Sequence, residues 1–442
     1  MSCSLLQSLK TFNDRRYLSI FIFGIASGVP WVMIGSVLNA WLADEGLSRS
    51  AIGLFGIVFS VYSLNFLWSP LIDRIKPLFL GQRRGWIISM QIGIALGCVA
   101  MSQLTADTHL FYLALFSFCI ALCSSTQDIA IDGYRIDIID ESDKDGLSAA
   151  SSVATAGWWT GFGGLGAIPF FLVDTPYFYW PNVYLLLAAA MGILMLGTLL
   201  AKEPAIARER LLESAVSHIP LSTKNRFLTW IKQTLIAPFA EFFVRNGVQL
   251  ALSFLLFIFL FKIGEAFLGR MSLVFYKEIG FSNSDIGTYS KLLNWWVTIL
   301  FSLVGGMVNI RYGIYRGLMT AGIAMAASNL MFAWIAQSGP NVTLLAAAVI
   351  VDGFTSAWST VAMVAFISLL CHRAFSATQY ALMASLSVAG RTFLAAGSGF
   401  VVDALDGNWS LFFIATALMV LPSLYFLYRI KDKIQHLEHP PT

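Results

Sequence analysis

The stretch SSTQDIAIDGYRID, residues 124–137, places charged side chains directly after the apolar run LFYLALFSFCIALC. On a helix Asp128 and Asp132 share a face, because they are four residues apart, and Gln127 flanks that face. Asp128 lies about 28 Å along a helix that begins at residue 109, which is still within a bilayer. A carboxylate at that depth is costly unless it faces water or a partner. Gln127 and Asp128 are therefore predicted to act on a proton or a solute.

The three charged residues that follow, Asp132, Arg135 and Asp137, are interpreted differently. They lie at or beyond the end of the same predicted helix. There an acid and a base three residues apart can pair while they remain in contact with water. We therefore expect a solvated helix end that contains an Asp–Arg pair.

A second charged set interrupts the apolar run FLLFIFLFKIGEAFLGRMSLVFY. Lys262 and Glu265 are three residues apart, so they can pair on one helix face. Arg270, Lys291 and Arg391 add further cations within apolar segments. Because cations outnumber acids there, the set suits an anionic solute held by charge-assisted hydrogen bonds, and Lys262 and Arg391 are the candidates. The alternative for Lys262 and Glu265 is a structural ion pair within one helix.

Asp352 and two tryptophans complete the candidate residues. Asp352, in VIVDGFTSAW, occupies a place analogous to that of Asp128 in the other half of the chain. Trp158 and Trp296 each belong to a Trp–Trp pair and could stack on a sugar ring. Adjacent indoles point in different directions, so at most one of each pair faces a cavity. Packing or lipid contact is the alternative for both rings.

The elements that position these side chains are predicted to be membrane helices. The chain has 442 residues, of which 57% are hydrophobic and 12% are charged, with a mean hydropathy of +0.72. A soluble domain is about a quarter charged, so this composition indicates an integral membrane protein. Repeated apolar runs of about 20 residues favour helices over a β-barrel, because a helix satisfies its own backbone in lipid.

The hydropathy pattern predicts twelve transmembrane helices. Their bounds are 17–43, 51–72, 86–105, 109–134, 148–172, 181–201, 249–275, 285–309, 316–337, 341–370, 377–403 and 408–430. Nearly all Lys and Arg residues of the loops fall on one side, and only Arg49 and Lys277 fall on the other. By the positive-inside rule, both termini and the long connection 202–248 are predicted to be cytoplasmic.

The chain also repeats itself. GLSRSAIG at 46–53 returns as GFSNSDIG at 280–287, at an offset of 234 residues. This predicts two six-helix bundles of the same orientation, 1–201 and 249–442, joined by a linker at 202–248 with an amphipathic stretch near RFLTWIKQTLIAPFAEFF. Two such halves around a central cavity form the plan of a major facilitator.

The turn after the second span, WSPLIDRIKPLFLGQRRGW, has the composition of a gate. An Asp-Arg pair, Asp73 and Arg74, ends one helix, and an Arg-Arg pair, Arg83 and Arg84, precedes the next. Opposite charges there can pair in one conformation and separate in another. The alternative is that Arg83 and Arg84 only anchor the helix at the membrane surface.

Four motifs resemble the AmpG-type muropeptide permease family of the major facilitators. They are WSPLIDR with GQRRGW, the stretch SSTQDIAIDGYRID, FKIGEAF at 261–267, and SATQYALMASLSVAGR at 376–391. The resemblance implies a monomeric symporter of the bacterial inner membrane that imports anhydro-muropeptides with protons for peptidoglycan recycling. It adds weight to Gln127 and Asp128. Some family members carry two further spans, whereas this chain ends soon after the twelfth.

Within that resemblance, Asp128 is predicted to carry the proton, while Glu265 positions Lys262 and the cargo. Glu265 and Asp352 are the other candidates for proton coupling. A carrier must take up and release its proton near the working pH, well above the value of about 4 for a solvated aspartate. The cargo itself stays open among a muropeptide, a siderophore and another anionic conjugate such as an acyl-coenzyme A derivative.

Other classes of function lack the residues that they need. The five histidines lie outside the apolar cores, and no nucleophile with a base, metal cluster, cofactor motif or nucleic-acid motif is found. The chain is therefore predicted not to be an enzyme, and to need no cofactor. A receptor or scaffold would not need two matched halves with charges of both signs inside the membrane. A channel would not need the gating turn.

Overall fold

The computed structural model describes residues 14–47, 55–77, 80–106, 108–140, 142–173, 175–205, 211, 232–282 and 285–438. These residues form a bundle of long helices joined by short turns. The first half contributes α1 (Arg15–Asp44), α2 (Gly56–Leu67, continued by Ser69–Arg74), α3 (Gln82–Met101), α4 (Leu110–Ile138), α5 (Lys144–Val173) and α6 (Trp180–Leu200).

The second half repeats this order. It contributes α7 (Val248–Ile279), α8 (Ile286–Leu293 and Asn294–Tyr312), α9 (Ile314–Ser338), α10 (Val342–Leu370), α11 (Arg373–Ala404) and α12 (Trp409–Arg429). A linker helix, Ala237–Asn246, precedes α7, and a C-terminal helix, Lys431–Glu438, follows α12.

Each predicted span falls on one of these helices, and the all-helical membrane fold is confirmed. Among the described residues, ten helices are long and apolar enough to cross a membrane, and Gly56–Leu67 is a shorter apolar helix. The second predicted span begins at residue 51, just ahead of the described part of α2, and the eighth corresponds to α8. The count of twelve spans and the side of the termini stay predictions.

The two halves repeat specific contacts as well as helix order. The Glu203 carboxylate, just after α6, accepts from the backbone N–H groups of Arg83 and Arg84 at 2.8 and 3.0 Å. Glu438, after α12, accepts in the same way from the N–H of Ile314 at the start of α9. In each half an acid beyond the sixth helix thus caps the N-terminus of the third, where free N–H groups need acceptors.

Glycines bring α1 and α5 into backbone contact. A Cβ atom at Gly24 would lie 2.6 Å from the Ala154 carbonyl oxygen, and one at Gly28 would lie 2.3 Å from that of Trp158. A Cβ at Gly157 would in turn meet the Phe21 carbonyl oxygen at 2.5 Å. This close packing, which only glycine permits, fixes the positions of the cavity residues on both helices.

The linker helix contacts the face of the bundle where α10 turns into α11. Gln379 donates its side-chain amide to Glu241 at 2.6 Å and to the Pro238 carbonyl at 2.9 Å. Arg245 donates to the carbonyl of Leu370 at 2.8 Å and pairs with Glu241. We call this side of the molecule, which also carries the α2–α3 and α4–α5 turns, the basic face. Of the predicted amphipathic stretch, residues 226–231 lie outside the described residues, and residues 232–243 are helical.

If the basic face is cytoplasmic, protease added outside sealed spheroplasts should leave the connection 202–248 intact. The same protease added to inverted vesicles should cut it, because that face is then outward. An antibody tag within the connection would report cleavage. Cutting in the spheroplasts would overturn the predicted topology.

Candidate functional site

The basic face holds a buried network that joins the two halves. Arg83 donates to Asp73 at 2.7 Å through Nη2 and to Asp137 at 2.8 Å through Nε. These three residues come from α3, α2 and α4, and their side chains are almost fully buried. We call these residues, together with Ser376 and Thr378 of α11, the basic-face network.

The α11 residues complete this network from the other half. Arg83 donates to the Ser376 hydroxyl at 2.8 Å, and that hydroxyl donates to Asp137 at 2.7 Å. Asp73 accepts from both the backbone N–H and the hydroxyl of Thr378, at 2.9 and 2.6 Å. A buried guanidinium between two carboxylates is stable only while all of its partners are present. The network therefore holds the halves together on this face.

Arg135 forms a second bridge between the halves. It donates to Ser151 of α5 at 3.1 Å and to Ser368 of α10 at 2.9 Å, and pairs with Asp132 at 2.9 Å. Its guanidinium also lies over the Tyr380 ring, 4.9 Å from the ring centre. The Asp–Arg pair was predicted correctly, but the expectation of a solvated helix end was wrong: Arg135 is buried because α10 and α11 cover the end of α4.

The other two arginines of the predicted gate do not join the halves. Arg84 donates to the carbonyls of Thr198 and Leu199 at 2.9 and 2.5 Å, so it ties α3 to the end of α6 within one half. Arg74 makes no ion pair among the described residues. The structure thus assigns the contact between the halves to Asp73 and Arg83. Arg84, which was predicted to belong to the gate, instead joins α3 to α6 within the first half.

The membrane-embedded acid of the first half is Asp128. It accepts a hydrogen bond of 2.7 Å from the Ser27 hydroxyl of α1. Its side chain is half-buried, so it keeps access to the space between the halves. No cation pairs with it among the described residues, which leaves its charge free to change with protonation.

Gln127 does not reach that space. Its side chain is fully buried and donates to the Ala26 carbonyl at 2.8 Å, which ties α4 to α1. The structure therefore corrects the prediction that Gln127 binds cargo. On a helix adjacent residues point about 100° apart, so Asp128 can face the cavity only if Gln127 turns into the packing.

The charged set of the second half centres on a break in α7. Lys262 follows the last turn of Val248–Leu260 and pairs with Glu265 at 2.7 Å. Its ammonium also donates to the Thr360 hydroxyl of α10 at 2.6 Å. Ser356 of α10 donates to the other oxygen of Glu265 at 3.0 Å. The predicted pairing is present, and α10 holds both side chains in place.

Asp352 and Arg391 surround this pair. Asp352 accepts from Ser328 of α9 at 3.0 Å, and interacts with Lys262 and Glu265 through space. Arg391 also interacts with both members of the pair, yet its own side chain is exposed and makes no ion pair in the described part of the chain. Arg391 thus presents a free guanidinium beside a nearly neutral pair.

The predicted tryptophans occupy different environments. Trp158 is half-buried and stacks on Phe162 at 4.9 Å, while its edge meets the Trp31 ring at 6.0 Å. Trp296 is 63% exposed and, among the described residues, its ring contact is with Trp295. The structure therefore places Trp158 within an aromatic cluster, and supports no cargo contact for Trp296.

Trp295, the neighbour of Trp296, serves the contact between halves. Its indole N–H donates to the Trp159 carbonyl at 3.2 Å. A Cβ at Gly163 would come within 2.3 Å of the same ring, so the ring lies flat on the backbone of α5. Further along, Gly306 of α8 allows contact with Ser152. The helices α5 and α8 thus stay together along their length.

Comparisons with known proteins decide the family. The sequence profile described as Major Facilitator Superfamily matches residues 18–290. The chain is 31% identical to the anhydromuropeptide permease of Escherichia coli (strain K12), over 97% of this chain and 82% of that protein. It is 32% identical to the putative transporter AmpG 4 of Rickettsia conorii, over 96% and 99%.

The chain is an AmpG-type permease of the Major Facilitator Superfamily. The fold agrees, since the crystal structure of the superfamily transporter FucP in the outward conformation superposes with a TM-score of 0.68 at 14% identity, covering 95% of this chain and 99% of that one. AmpG-type permeases are transporters of the bacterial inner membrane, so the predictions of a transporter and of a non-enzyme are confirmed.

Sequence reasoning missed several residues of this AmpG-type permease. Ser376 and Thr378 lie in the motif SATQYALMASLSVAGR, which carried the resemblance, but nothing in their types indicated a contact with Asp73. Trp31 was missed because a single tryptophan in an apolar helix gives no signal. Glycines at four-residue spacing, Gly24 with Gly28 and Gly157 with Gly161, are a signal of close helix packing that could have placed Trp31 beside Trp158.

Proposed function

We propose that this AmpG-type permease is a proton-coupled symporter that imports anhydro-muropeptides into the cytoplasm. Two membrane-embedded sites in opposite halves carry the proposal. In the described part of the chain, Asp128 has no cation partner, and Arg391 is a cation without an ion pair beside the Lys262–Glu265 pair. The first can exchange a proton, and the second can hold an anionic cargo. The relative from Escherichia coli is an anhydromuropeptide permease.

In this proposal the two sites have separate tasks. Asp128 takes up a proton while the cavity is open to the periplasm, and releases it when the cavity opens to the cytoplasm. Glu265 holds Lys262 and so positions it for the cargo. Asp352, which is held by Ser328, is a second candidate for proton exchange. The permease works as a monomer, because both sites lie within one chain.

The conformation of the two halves fits an importer that is open to the periplasm. Hydrogen bonds join α2 and α11 at two levels. Ser385 donates to Asn65 at 3.0 Å, and the basic-face network lies nearer the basic face. Beyond Ser385 the side chains of Val388, Arg391 and Phe393 on α11 are exposed. The contacts between α2 and α11 therefore close the basic face, while α11 is exposed beyond them, so cargo can enter from the opposite face if the basic face is cytoplasmic.

Uptake into proteoliposomes tests the proposal. The purified chain is reconstituted, the potential is clamped at zero with potassium and valinomycin, and a pH gradient of one unit, acid outside, is imposed. Labelled anhydro-muropeptide should accumulate by up to about tenfold for each proton moved, because one pH unit is worth about 1.36 kcal/mol. A protonophore should collapse the accumulation.

Two results would contradict this function. Accumulation of the muropeptide without a pH gradient would mean that transport is not coupled to protons. No transport of the muropeptide, together with transport of a ferric siderophore or an acyl-coenzyme A conjugate, would assign a different cargo. Liposomes without protein serve as the control for leakage.

A further inference from the structure

The first half carries a continuous set of half-buried aromatic rings on α1, α2 and α5. Trp31 of α1 lies at its centre, 4.5 Å from Tyr62, 5.0 Å from Phe59 and 6.0 Å from Trp158, measured between ring centres. Phe162 extends the set by stacking on Trp158. All five side chains are half-buried. We call them the aromatic wall.

Backbone packing holds this wall in place. Gly28 lets α1 approach α5 so closely that a Cβ there would lie 2.8 Å from the Phe162 nitrogen. Trp31, one turn further along α1, is thereby set against Trp158 and Phe162. The wall is therefore pre-organised, and a ligand that stacks on it need not order the rings first.

The opposite half is built differently. Its cavity residues are Lys262, Glu265, Asp352 and the exposed guanidinium of Arg391. Arg391 belongs to α11, the helix that faces α2, which carries Phe59 and Tyr62. The two halves thus offer one aromatic side and one charged side, and the most exposed charged group of the charged side is the Arg391 guanidinium.

We propose that the cargo binds in one fixed orientation, with its sugar rings on the aromatic wall around Trp31 and its peptide carboxylates toward Arg391 and Lys262. This inference rests on the proposed function. It adds Trp31 as a residue that determines specificity, and it assigns each half of the cavity to one chemical half of the cargo.

The chemistry of the two ends explains the orientation. The C–H groups of a pyranose carry partial positive charge, and they are attracted to the negative face of an aromatic ring as well as shielded from water by it. The peptide carboxylates need cations, and a guanidinium can donate two parallel hydrogen bonds to one carboxylate. The reversed orientation would place carboxylates against rings and leave Arg391 without a partner.

A binding assay with three probes tests the orientation. They are the anhydro-muropeptide, the same molecule with its peptide carboxylates amidated, and the N-acetylated peptide without sugars. Trp31→Ala should weaken binding of both sugar-containing probes by about tenfold and leave the peptide unchanged. Arg391→Ala should weaken binding of the muropeptide and of the peptide by a similar factor. It should leave binding of the amidated probe unchanged. Trp334→Ala, which removes a 60% exposed indole of α9, is the control.

The three probes distinguish a failure of the proposed function from a failure of the proposed orientation. If the wild-type protein binds none of the three probes, the proposed function fails, whatever the orientation. If it binds them and each variant weakens all three alike, or Trp31→Ala weakens none, the fixed orientation is wrong. Equal losses of binding for the charged and the amidated probe in Arg391→Ala would make Arg391 a structural residue. Trp31→Phe, which keeps a ring in the wall, should restore part of the binding and provides the same comparison if Trp31→Ala does not fold.

Discussion

Replacement of Asp128 by asparagine is expected to abolish accumulation of cargo against a gradient while exchange of cargo across the membrane continues. Asparagine has nearly the same shape and can still accept the hydrogen bond that Ser27 donates to Asp128 at 2.7 Å. It cannot bind or release a proton, so the substituted protein would lose coupling without losing its fold. The alternating motion itself does not require the proton once cargo is bound on both sides.

Two measurements in the same proteoliposomes separate coupling from movement. With a pH gradient of one unit, the wild-type protein should concentrate cargo by up to about tenfold per proton, and Asp128→Asn should bring the ratio to 1. With equal pH and unlabelled cargo inside, both proteins should take up labelled cargo by exchange. Asp403→Asn, which changes an exposed acid at the end of α11, is the matched control.

One outcome would assign the proton to another residue. If Asp128→Asn still concentrates cargo, and that accumulation still collapses with a protonophore, Asp128 is not the carrier. Glu265 is then the next candidate, followed by Asp352. The variant Glu265→Gln is expected to weaken cargo binding instead, because Lys262 would lose its ion-pair partner at 2.7 Å.

The fold could be predicted further than the site. The length of the apolar segments and the need of the backbone to form its own hydrogen bonds in lipid determine the helices. Each predicted span lies on an observed helix. The boundaries were less certain where helices change geometry. Thus α8 opens with the π-helical turns Ile286–Leu293, and α2 continues through Ser69–Arg74 beyond its apolar part. The hydropathy of the sequence indicates neither the π-helical start of α8 nor the continuation of α2.

Local pairs were predictable, and distant ones were not. The sequence placed Lys262 beside Glu265 and Asp132 beside Arg135, because three residues along a helix bring side chains together. It did not show that Asp137 would accept from Ser376, 239 residues away. For that reason the end of α4 was predicted to be solvated. The spacing within one helix cannot reveal a surface that another half of the chain covers.

Burial also changed the role of Gln127. The motif suggested that Gln127 and Asp128 act together, yet only one of two adjacent residues can face the cavity from a helix. The structure selects Asp128, because Gln127 donates to the Ala26 carbonyl. The same reasoning applies to Trp295 and Trp296, where the indole of Trp295 contacts α5. In both cases the pair was predictable from the sequence, whereas packing determines which member faces which neighbour.

Arg83→Ala is expected to open the basic face. The substitution leaves Asp73 and Asp137 as buried acids without their shared cation. Removing one partner of a buried ion pair costs about 3–5 kcal/mol. That cost falls mainly on the conformation in which α11 covers both acids, so the equilibrium should shift by on the order of a hundredfold toward separated halves. Arg84→Ala is the matched control, because the Arg84 side chain, among the described residues, donates to two carbonyls of α6.

The native thiol at the end of α10 reports this shift. Cys371 lies near Arg135 and Asp73, so separation of the halves should expose it. In a variant in which Cys371 is the single cysteine, Arg83→Ala should react faster with a membrane-permeant maleimide, and Arg84→Ala should react at the original rate. Uptake by Arg83→Ala should fall, because cargo can enter only while the basic face is closed. An unchanged rate of labelling in Arg83→Ala, or an equal increase in both variants, would mean that the buried ion pairs stabilise the first half alone and do not gate the cavity.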